Sequence, residues 1–331
     1  MKLKIAMAGL AHSHGICFLR PAAKVPGVTV AGFFDPKNRE ETEAASKEFD
    51  APVYSSLDDL VNNSGAGILL TAAINSDRAD IVIRGIEAGM NIVADKPLVT
   101  TIEDLDRIEQ ALERNPEVKL HLMLTERYNP VLVTAKSLID RGEVGEIVNI
   151  INMRPHRLKP KERPDWMFAS AQYGGILNDL AVHDIDIATW LCGSPVDEVL
   201  ASTVSNKRFT EYTDFYDNGQ VMLRLRNGCV VFILESWLTP EQYPYHGEMK
   251  FIIHGTKGQI IADPQNNEVI FYSDEKPIQK VPVISPAENF VTDPLKYFTQ
   301  TAYDATLKTN DGLEAQRVAL ICQEMAEKSR A

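Results

Sequence analysis

The sequence predicts an α/β protein in two parts: a doubly wound parallel sheet, then an α/β domain on an open, mostly antiparallel sheet. Three observations predict it. Over roughly the first 120 residues, short apolar runs alternate with amphipathic helical stretches, the pattern of a parallel sheet covered on both faces. From about Val148 the apolar runs lengthen and few helices separate them. Asn227-Gly228 and Gly255-Thr256-Lys257-Gly258 punctuate that second region with turn signals.

The elements follow in order. Strands are expected at 4–8, 28–34, 67–71, 91–94 and 119–124, with helices at 39–49, 76–88 and 102–113. The second part should hold strands at 148–153, 198–204, 220–225, 229–237, 250–253 and 268–271. A helix from Asn178 interrupts that sheet, and 293–308 and 311–329 read as helical again. Strand 229–234 is apolar on both alternations, which asks for cover on both faces and predicts a homodimer or homotetramer that pairs these sheets. A chain of 331 residues is long enough for two domains, expected at 1–125 and 126–331, with the C-terminal helices able to pack back on the first.

Composition narrows the function. An apolar fraction of 44% with 24% charged residues is that of a soluble globular protein. A formal net charge of −12 argues against nucleic acid or an anionic membrane as the main partner. No segment approaches the roughly 18 apolar residues of a membrane helix. The apolar start of the chain is too short for a signal peptide, so a cytoplasmic location is expected. Cys17, Cys192, Cys229 and Cys322 form no metal-type or redox-type pair in sequence, and no disulfide is expected.

The turn after the first strand is Gly9-Leu10-Ala11-His12-Ser13-His14-Gly15. A dinucleotide fingerprint wants glycines at its first, third and sixth places. Only Gly9 is in place: Ala11 stands third, and Gly15 comes one place late, which predicts looser packing of helix on strand. Asp35 ends the second strand, where a ribose-binding carboxylate belongs. That favours NAD, with NADP as the alternative. His12 and His14 lack a nearby cysteine or carboxylate cluster in sequence, so hydrogen bonding to cofactor is expected rather than metal.

Two further stretches carry chemistry. Asp95-Lys96-Pro97 ends the fourth strand, at the sheet edge where α/β folds bind ligands. A lysine there can stabilise a developing alkoxide. Gly174-Gly175 opens a helical stretch in which Asp179 and His183 are four residues apart, on one face. A carboxylate beside an imidazole fixes its tautomer and raises its basicity, which suits proton transfer near neutral pH. A simple ion pair has the same spacing. The basic segment 155–164 reads as a substrate loop or as an ordinary solvated one.

Taken together and in order, these motifs resemble the Gfo/Idh/MocA family of sugar and inositol oxidoreductases. Asp95-Lys96-Pro97 is similar to the family's Glu-Lys-Pro; 85–94 resembles the approach to it; Arg127-Tyr128-Asn129-Pro130 and 141–145 resemble its bridge into the second domain. The most specific similarity is Gly174, Gly175, Asp179, His183 and Asp186. The departures lie on the cofactor side, at the glycine loop and at Ala73, Ile74 and Arg78, with Asn75 retained.

The resemblance implies a Rossmann-type first domain and hydride transfer between a sugar, inositol or related polyol and a nicotinamide. It implies catalytic roles for Lys96, Asp179 and His183. His183 would accept the hydroxyl proton, Asp179 would orient it and Lys96 would bond the reacting oxygen; Lys96 and His183 are interchangeable at this level. Cofactor contacts are implied at Gly9, Ala11, His12, Ser13, His14, Asp35, Ala73, Asn75, Asp95 and Lys96. Trp166 and Tyr173 are candidates for stacking on substrate, with ordinary core aromatics as the equal alternative. A glycosidase that oxidises its sugar transiently with NAD and a cofactor-binding regulator are the two other readings of the same residues.

Overall fold

The computed structural model describes residues 3–299 and 309–329. The chain divides into two compact units. The first takes the chain up to Leu124, with Ala171–Gly174 and a return from Glu288; the second takes Thr125–Ser170, Gly175–Ala287 and the chain from Glu314.

The first unit alternates β1 (Leu3–Ala8), α1 (His14–Ala22), β2 (Val28–Phe34), α2 (Arg39–Phe49), α3 (Leu57–Asn63), β3 (Ile68–Thr71), α4 (Arg78–Glu87), β4 (Asn91–Ala94), α5 (Ile102–Arg114) and β5 (Leu120–Leu122). Its strands pair in the order β2-β1-β3-β4-β5, all parallel. β3 is buried at every position, so its sequence is an unbroken apolar run rather than an alternation. Ile5, Met7, Phe18, Leu19, Phe33 and Leu70 form the centre of its core. The strand order reverses between β1 and β3, and the carboxyl ends of those strands are where such sheets bind ligands.

The second unit opens with α6 (Pro130–Asp140), β6 (Ile147–Pro155) and the single turn α7 (Ser170–Tyr173), whose last residues belong to the first unit. α8 (Val182–Cys192) follows, then β7 (Val196–Ser205), β8 (Asn218–Leu225), β9 (Val230–Ser236), β10 (Lys250–Gly255), β11 (Gly258–Asp263), β12 (Glu268–Ser273) and β13 (Gln279–Val281). α9 (Thr292–Thr299) and α10 (Thr309–Lys328) end the chain. The expected helix over 300–308 lies outside the described residues.

The second sheet has the order β13-β12-β11-β10-β6-β9-β8-β7. Only β6 and β9 run parallel in it; the other pairs are antiparallel. Both predicted turns are there: Asn227-Gly228 joins β8 to β9, and Thr256-Lys257 joins β10 to β11. One face of β9 is buried through Val231, Ile233 and Glu235, and the other leaves Phe232 41% and Leu234 38% exposed. Those two residues, with Ile151, Met153 and Met222, line a groove of about 340 Å³ on the outer face. No helix among the described residues is long and apolar enough to cross a membrane.

Candidate functional site

The carboxyl edge of the first sheet gathers the residues that the sequence assigns to the cofactor side. Gly9 leaves β1 at φ +85°, and a Cβ there would lie 2.3 Å from the Ala73 Cβ. The glycine therefore permits both the left-handed turn and the approach of the chain after β3. Gly15, one place late in the fingerprint, does the packing expected of the last glycine: a Cβ on it would meet the Met7 side chain at 2.3 Å and Ala72 at 2.8 Å. Helix and strand are thus closely packed, and the looser contact predicted from His14 is corrected. The residue count from Gly9 changed; the steric demand moved with Gly15.

α1 begins at His14, with Ser13 at its N-cap making no side-chain cap and no acidic residue in the first turn. A helix start without a side-chain cap from its N-cap residue or an acidic residue in its first turn fits a pyrophosphate. Ala11, Ser13 and the histidines lie in this turn, and the His12 amide bonds the Ala72 carbonyl at 3.0 Å.

Asp95, fully buried, is the hub of this edge. Its Oδ1 accepts from the Lys96 amide at 2.8 Å and lies 2.9 Å from His14 Nδ1. Its Oδ2 lies 3.2 Å from His12 Nδ1 and 3.3 Å from Arg78 Nη2. His12 Nδ1 is also 3.4 Å from the His14 amide, a longer contact, so the carboxylate sets its tautomer. Burial alone would raise the Asp95 carboxyl; His14, Arg78 and His12 outweigh it and hold Asp95 well below the usual carboxylate range. Burial lowers the His12 imidazole, against the pull of Asp95.

His12, His14 and Asp95 bring one ligand-type atom each within 4.8 Å of one another. The sequence reading found no carboxylate beside the histidines because Asp95 is 81 residues from His14. This carboxylate meets the Lys96 amide, both imidazoles and a guanidinium, which makes the cluster a hydrogen-bonded hub.

Arg78, which sequence reasoning marked only as a departure, is fully buried. It donates to the Ala73 carbonyl at 2.8 Å, the Asp95 carbonyl at 3.1 Å and the Pro97 carbonyl, besides its pairing with the Asp95 carboxylate. The guanidinium fork thus ties the end of β3 to the turn that carries Lys96. Lys96 itself is 9% exposed. Asn75 is buried and donates to the Tyr173 carbonyl at 2.8 Å.

Asp35 ends β2 as expected, and its carboxylate is heavily used. Oδ2 accepts from the Leu10 amide at 2.7 Å and Asn38 Nδ2 at 2.8 Å. Oδ1 accepts from the amides of Lys37 at 2.9 Å and Asn38 at 3.2 Å. It braces the glycine turn against the start of α2. Lys37 is drawn away to Asp77, at 2.6 Å.

In the second unit, Gly175 sits at φ +88° with the Gln323 side chain where a Cβ would be. The stretch that follows is not a regular α-helix. Leu177–Ala181 form a π turn before α8 begins at Val182. Asp179 lies in the wide turn and His183 in the first α turn, so the simple four-residue stacking read from the sequence is altered by the wider ring. Single π turns are costly and recur at functional sites. Here α10 supports the turn: Gln323 Oε1 accepts from the Leu177 amide at 3.0 Å, and Gln316 Nε2 donates to Asn178 at 2.5 Å. Asp179 is 7% and His183 9% exposed.

Two buried ion pairs fasten α8 on either side of its own axis. Arg127 grips Asp186 with two bonds, 2.9 and 2.6 Å. Arg154, from the inner face of β6, bonds Asp184 at 2.9 Å and Glu126 at 3.1 Å. Against burial, Asp184, Glu126 and Glu235 raise the Arg154 guanidinium and keep it charged. Asn152, 1% exposed on the same strand, makes no side-chain hydrogen bond among the described residues. The role of Arg154 was not read from the sequence, where only its apolar neighbours marked the strand.

Trp166 is 9% and Tyr173 2% exposed. Trp166 is thus as open as Lys96 and His183, and Tyr173 is more buried than either. The segment 155–164 is partly tied down: Arg163 bonds the Leu158 carbonyl at 2.5 Å and lies over the Trp237 ring, 4.1 Å from its centre.

The comparisons with known proteins agree across both units. Residues 3–122 match the description "Oxidoreductase family, NAD-binding Rossmann fold", and residues 132–261 match "GFO/IDH/MocA C-terminal domain". The chain is 25% identical over 207 residues to inositol 2-dehydrogenase 2 of Saccharopolyspora erythraea, a match that covers 62% of this chain and 58% of that protein. The chain therefore spans less than two thirds of that relative's length. Among solved structures, one from Erwinia carotovora atroseptica SCRI1043 has 25% identity and a TM-score of 0.85, covering 98% of this chain and 99% of that one. One from Thermotoga maritima has 22% identity and a TM-score of 0.90, covering 99% and 98%.

Proposed function

The chain belongs to the GFO/IDH/MocA family, whose NAD-binding Rossmann fold it carries, and on that premise we propose that it is an NAD(P)-dependent oxidoreductase. Its substrate is a sugar, an inositol or a related polyol, oxidised at a secondary hydroxyl. The observation that carries the reading is Lys96: a nearly buried lysine, set by Asp95 and Arg78 on the same sheet edge as the uncapped start of α1. The inositol dehydrogenase relative supports the substrate class.

The nicotinamide cofactor supplies the hydride acceptor when bound. The first turn of α1 would hold its pyrophosphate with backbone amides. Asp35 keeps negative charge at the end of β2 and disfavours a 2′-phosphate, so NAD is preferred. Lys37, engaged with Asp77, does not offset that charge. In the oxidative direction His183 accepts the hydroxyl proton. Asp179 stabilises the imidazolium that results. Lys96 donates to the reacting oxygen and lowers the cost of its alkoxide character.

A second copy of the chain covers the outer face of the second sheet, making a homodimer or homotetramer. The exposed Phe232 and Leu234 support this, as isolated monomers rarely leave such a strand face bare.

The test is a cofactor-reduction screen of polyols and sugars with NAD and NADP in parallel, alongside light scattering. NADH formation with at least one polyol is the expected result. Tight cofactor binding without turnover on any member of the panel would overturn the dehydrogenase reading, and a stable monomer at micromolar concentration would overturn the assembly.

A further inference from the structure

Two cysteines that are 37 residues apart in sequence meet in the second unit. The Sγ atoms of Cys192 and Cys229 lie 3.7 Å apart, with the Cys192 thiol donating to Cys229. Cys192 is the last residue of α8, and Cys229 directly precedes β9. The backbone around them is already docked. Gly193 caps α8 in the left-handed conformation at φ 57° and turns the chain. The Arg226 amide then bonds the Pro195 carbonyl at 3.0 Å, and the Asn227 amide bonds Ser194 Oγ at 3.1 Å. The hairpin turn 225–229 is therefore fixed against the end of the helix by bonds that do not involve sulfur.

A disulfide needs its sulfurs about 2.05 Å apart. The two sulfurs have about 1.6 Å still to close between side chains on an already docked backbone. We propose that Cys192 and Cys229 are a site of reversible disulfide formation, which a small peroxide closes and a dithiol reopens. Cys192, half-buried, is the sulfur a peroxide reaches; Cys229 is buried.

The chemistry balances with peroxide as the oxidant. Cys192 sulfur attacks one peroxide oxygen: an S–O bond forms, the O–O bond breaks, and the departing oxygen takes up the thiol proton as water. Cys229 sulfur then attacks the oxidised sulfur: the S–S bond forms, the S–O bond breaks, and a second water leaves with the remaining proton. Two thiols lose two electrons in all, and the peroxide gains them.

The hydrogen bond to Cys229, then burial, push the Cys192 thiol up, and the same bond lowers Cys229, so attack from Cys192 starts from a protonated thiol and is slow. The bond would lock α8 to β9 at the far end of the helix from His183, roughly 13 Å along its axis at 1.5 Å per residue. It fastens the helix without touching the proposed base.

The two other cysteines act as internal controls. Cys17 is exposed and Cys322 buried. The folded, full-length protein is incubated with hydrogen peroxide, its remaining thiols are blocked, and the linked peptides are mapped by mass spectrometry. The expected result is one intrachain link between the peptides holding Cys192 and Cys229. It should lose two hydrogens in mass, reverse with dithiothreitol, and raise the melting temperature by roughly 5 °C. Cys192→Ser and Cys229→Ser should each abolish the link and the shift, and Cys17→Ser neither. Because the wild-type mapping needs no variant, the result does not depend on either serine protein folding. Two outcomes overturn the proposal: both thiols remain free after Cys17 is fully oxidised, or the link forms only in protein unfolded in urea. Neither outcome bears on the dehydrogenase reading, which uses no cysteine.

Discussion

The lysine and the histidine proposed to share one reaction are held in opposite ways. In the first unit a single buried carboxylate, Asp95, serves His12, His14, Arg78 and the Lys96 amide together. In the second, the helix that carries His183 is fastened by two arginines, each with its own aspartate: Arg127 on Asp186 and Arg154 on Asp184. The first arrangement concentrates the glycine turn and the lysine on one point. The second spreads its hold over two elements and places His183 one residue before the first of the two anchored positions. A hub transmits damage from any member to all the others; a pair of clamps confines it.

The largest expected effect separates chemistry from binding. His183→Ala should lower turnover by roughly two to four orders of magnitude, the range for loss of a positioned acid–base group. Lys96→Ala should also lower it, since the alkoxide loses its charged donor. Cofactor affinity, measured by NADH fluorescence alongside turnover, should survive in His183→Ala because the fingerprint residues lie in the other unit. Near-normal turnover in both variants would reduce the π turn and α8 to a structural helix.

Next in size is the contrast between the two supports. Arg78→Met leaves the buried Asp95 charge without its guanidinium, a loss of about 3–5 kcal/mol in stability. It should lower cofactor affinity and turnover together, because the glycine turn and Lys96 share Asp95. Arg127→Met should cost a similar stability and reduce turnover, yet leave cofactor affinity within about twofold, an expectation from the separate placement of its partner Asp186. Denaturant melts paired with cofactor titrations check both. If Arg78→Met binds cofactor normally, Asp95 is not a shared hub.

Much of this scaffold was legible in the sequence, and the unread parts have physical causes. β2, β4 and α2 stand at their expected residues because apolar runs and amphipathic periods there were clean and bounded by Asp-Pro, Asp-Lys-Pro or an αL residue. α6 was not read as a helix, since Val131, Leu132, Val133 and Thr134 are as apt for a strand; Asn129 capping Val131 and Pro130 at the first position decide it. β11 has only Ile260 and Ile261 between polar or small residues and draws its identity from pairing with β10 and β12. At the site, residue types were readable and partners were not. Nothing local announces that Asp95 will meet His14, or that Arg78 will thread between two strand ends. Those contacts are set by strand order, which a single sequence does not display.

Acidity should weaken the protein through a buried histidine of the first unit. His121, in β5, is buried and its imidazole is lowered to about 4 by burial, with Asp293 pulling the other way. It is neutral in the folded state down to that pH, while the unfolded imidazole gains a proton below about 6.5. The unfolded chain thus binds more protons between pH 6.5 and 4. The contribution of neutral His121 to stability is complete above pH 6.5 and declines as pH falls towards 4, by up to about 3 kcal/mol. His121→Gln should flatten that decline in chemical melts at a series of pH values; an unchanged slope would assign the acid sensitivity to other groups.

The smallest effect concerns the cofactor's second phosphate, and it tests whether the hub is the whole of the first unit's cofactor chemistry. Asp35 lies at the end of a different strand from Asp95, and its four hydrogen bonds are to the glycine turn and the start of α2. Its charge braces Leu10 and, on the proposed function, also repels an added phosphate at the ribose. Asp35→Ser removes the repulsion and part of the brace, so affinity for both cofactors should fall. The ratio between them isolates the charge, because loss of the brace weakens NAD and NADP alike. That ratio should move towards NADP by about tenfold, near 1.4 kcal/mol. Dissociation constants for both cofactors, with the wild type favouring NAD, make the measurement. If the wild type binds NADP more tightly, Asp35 acts only as a brace, and the selectivity comes from residues beyond the end of β2.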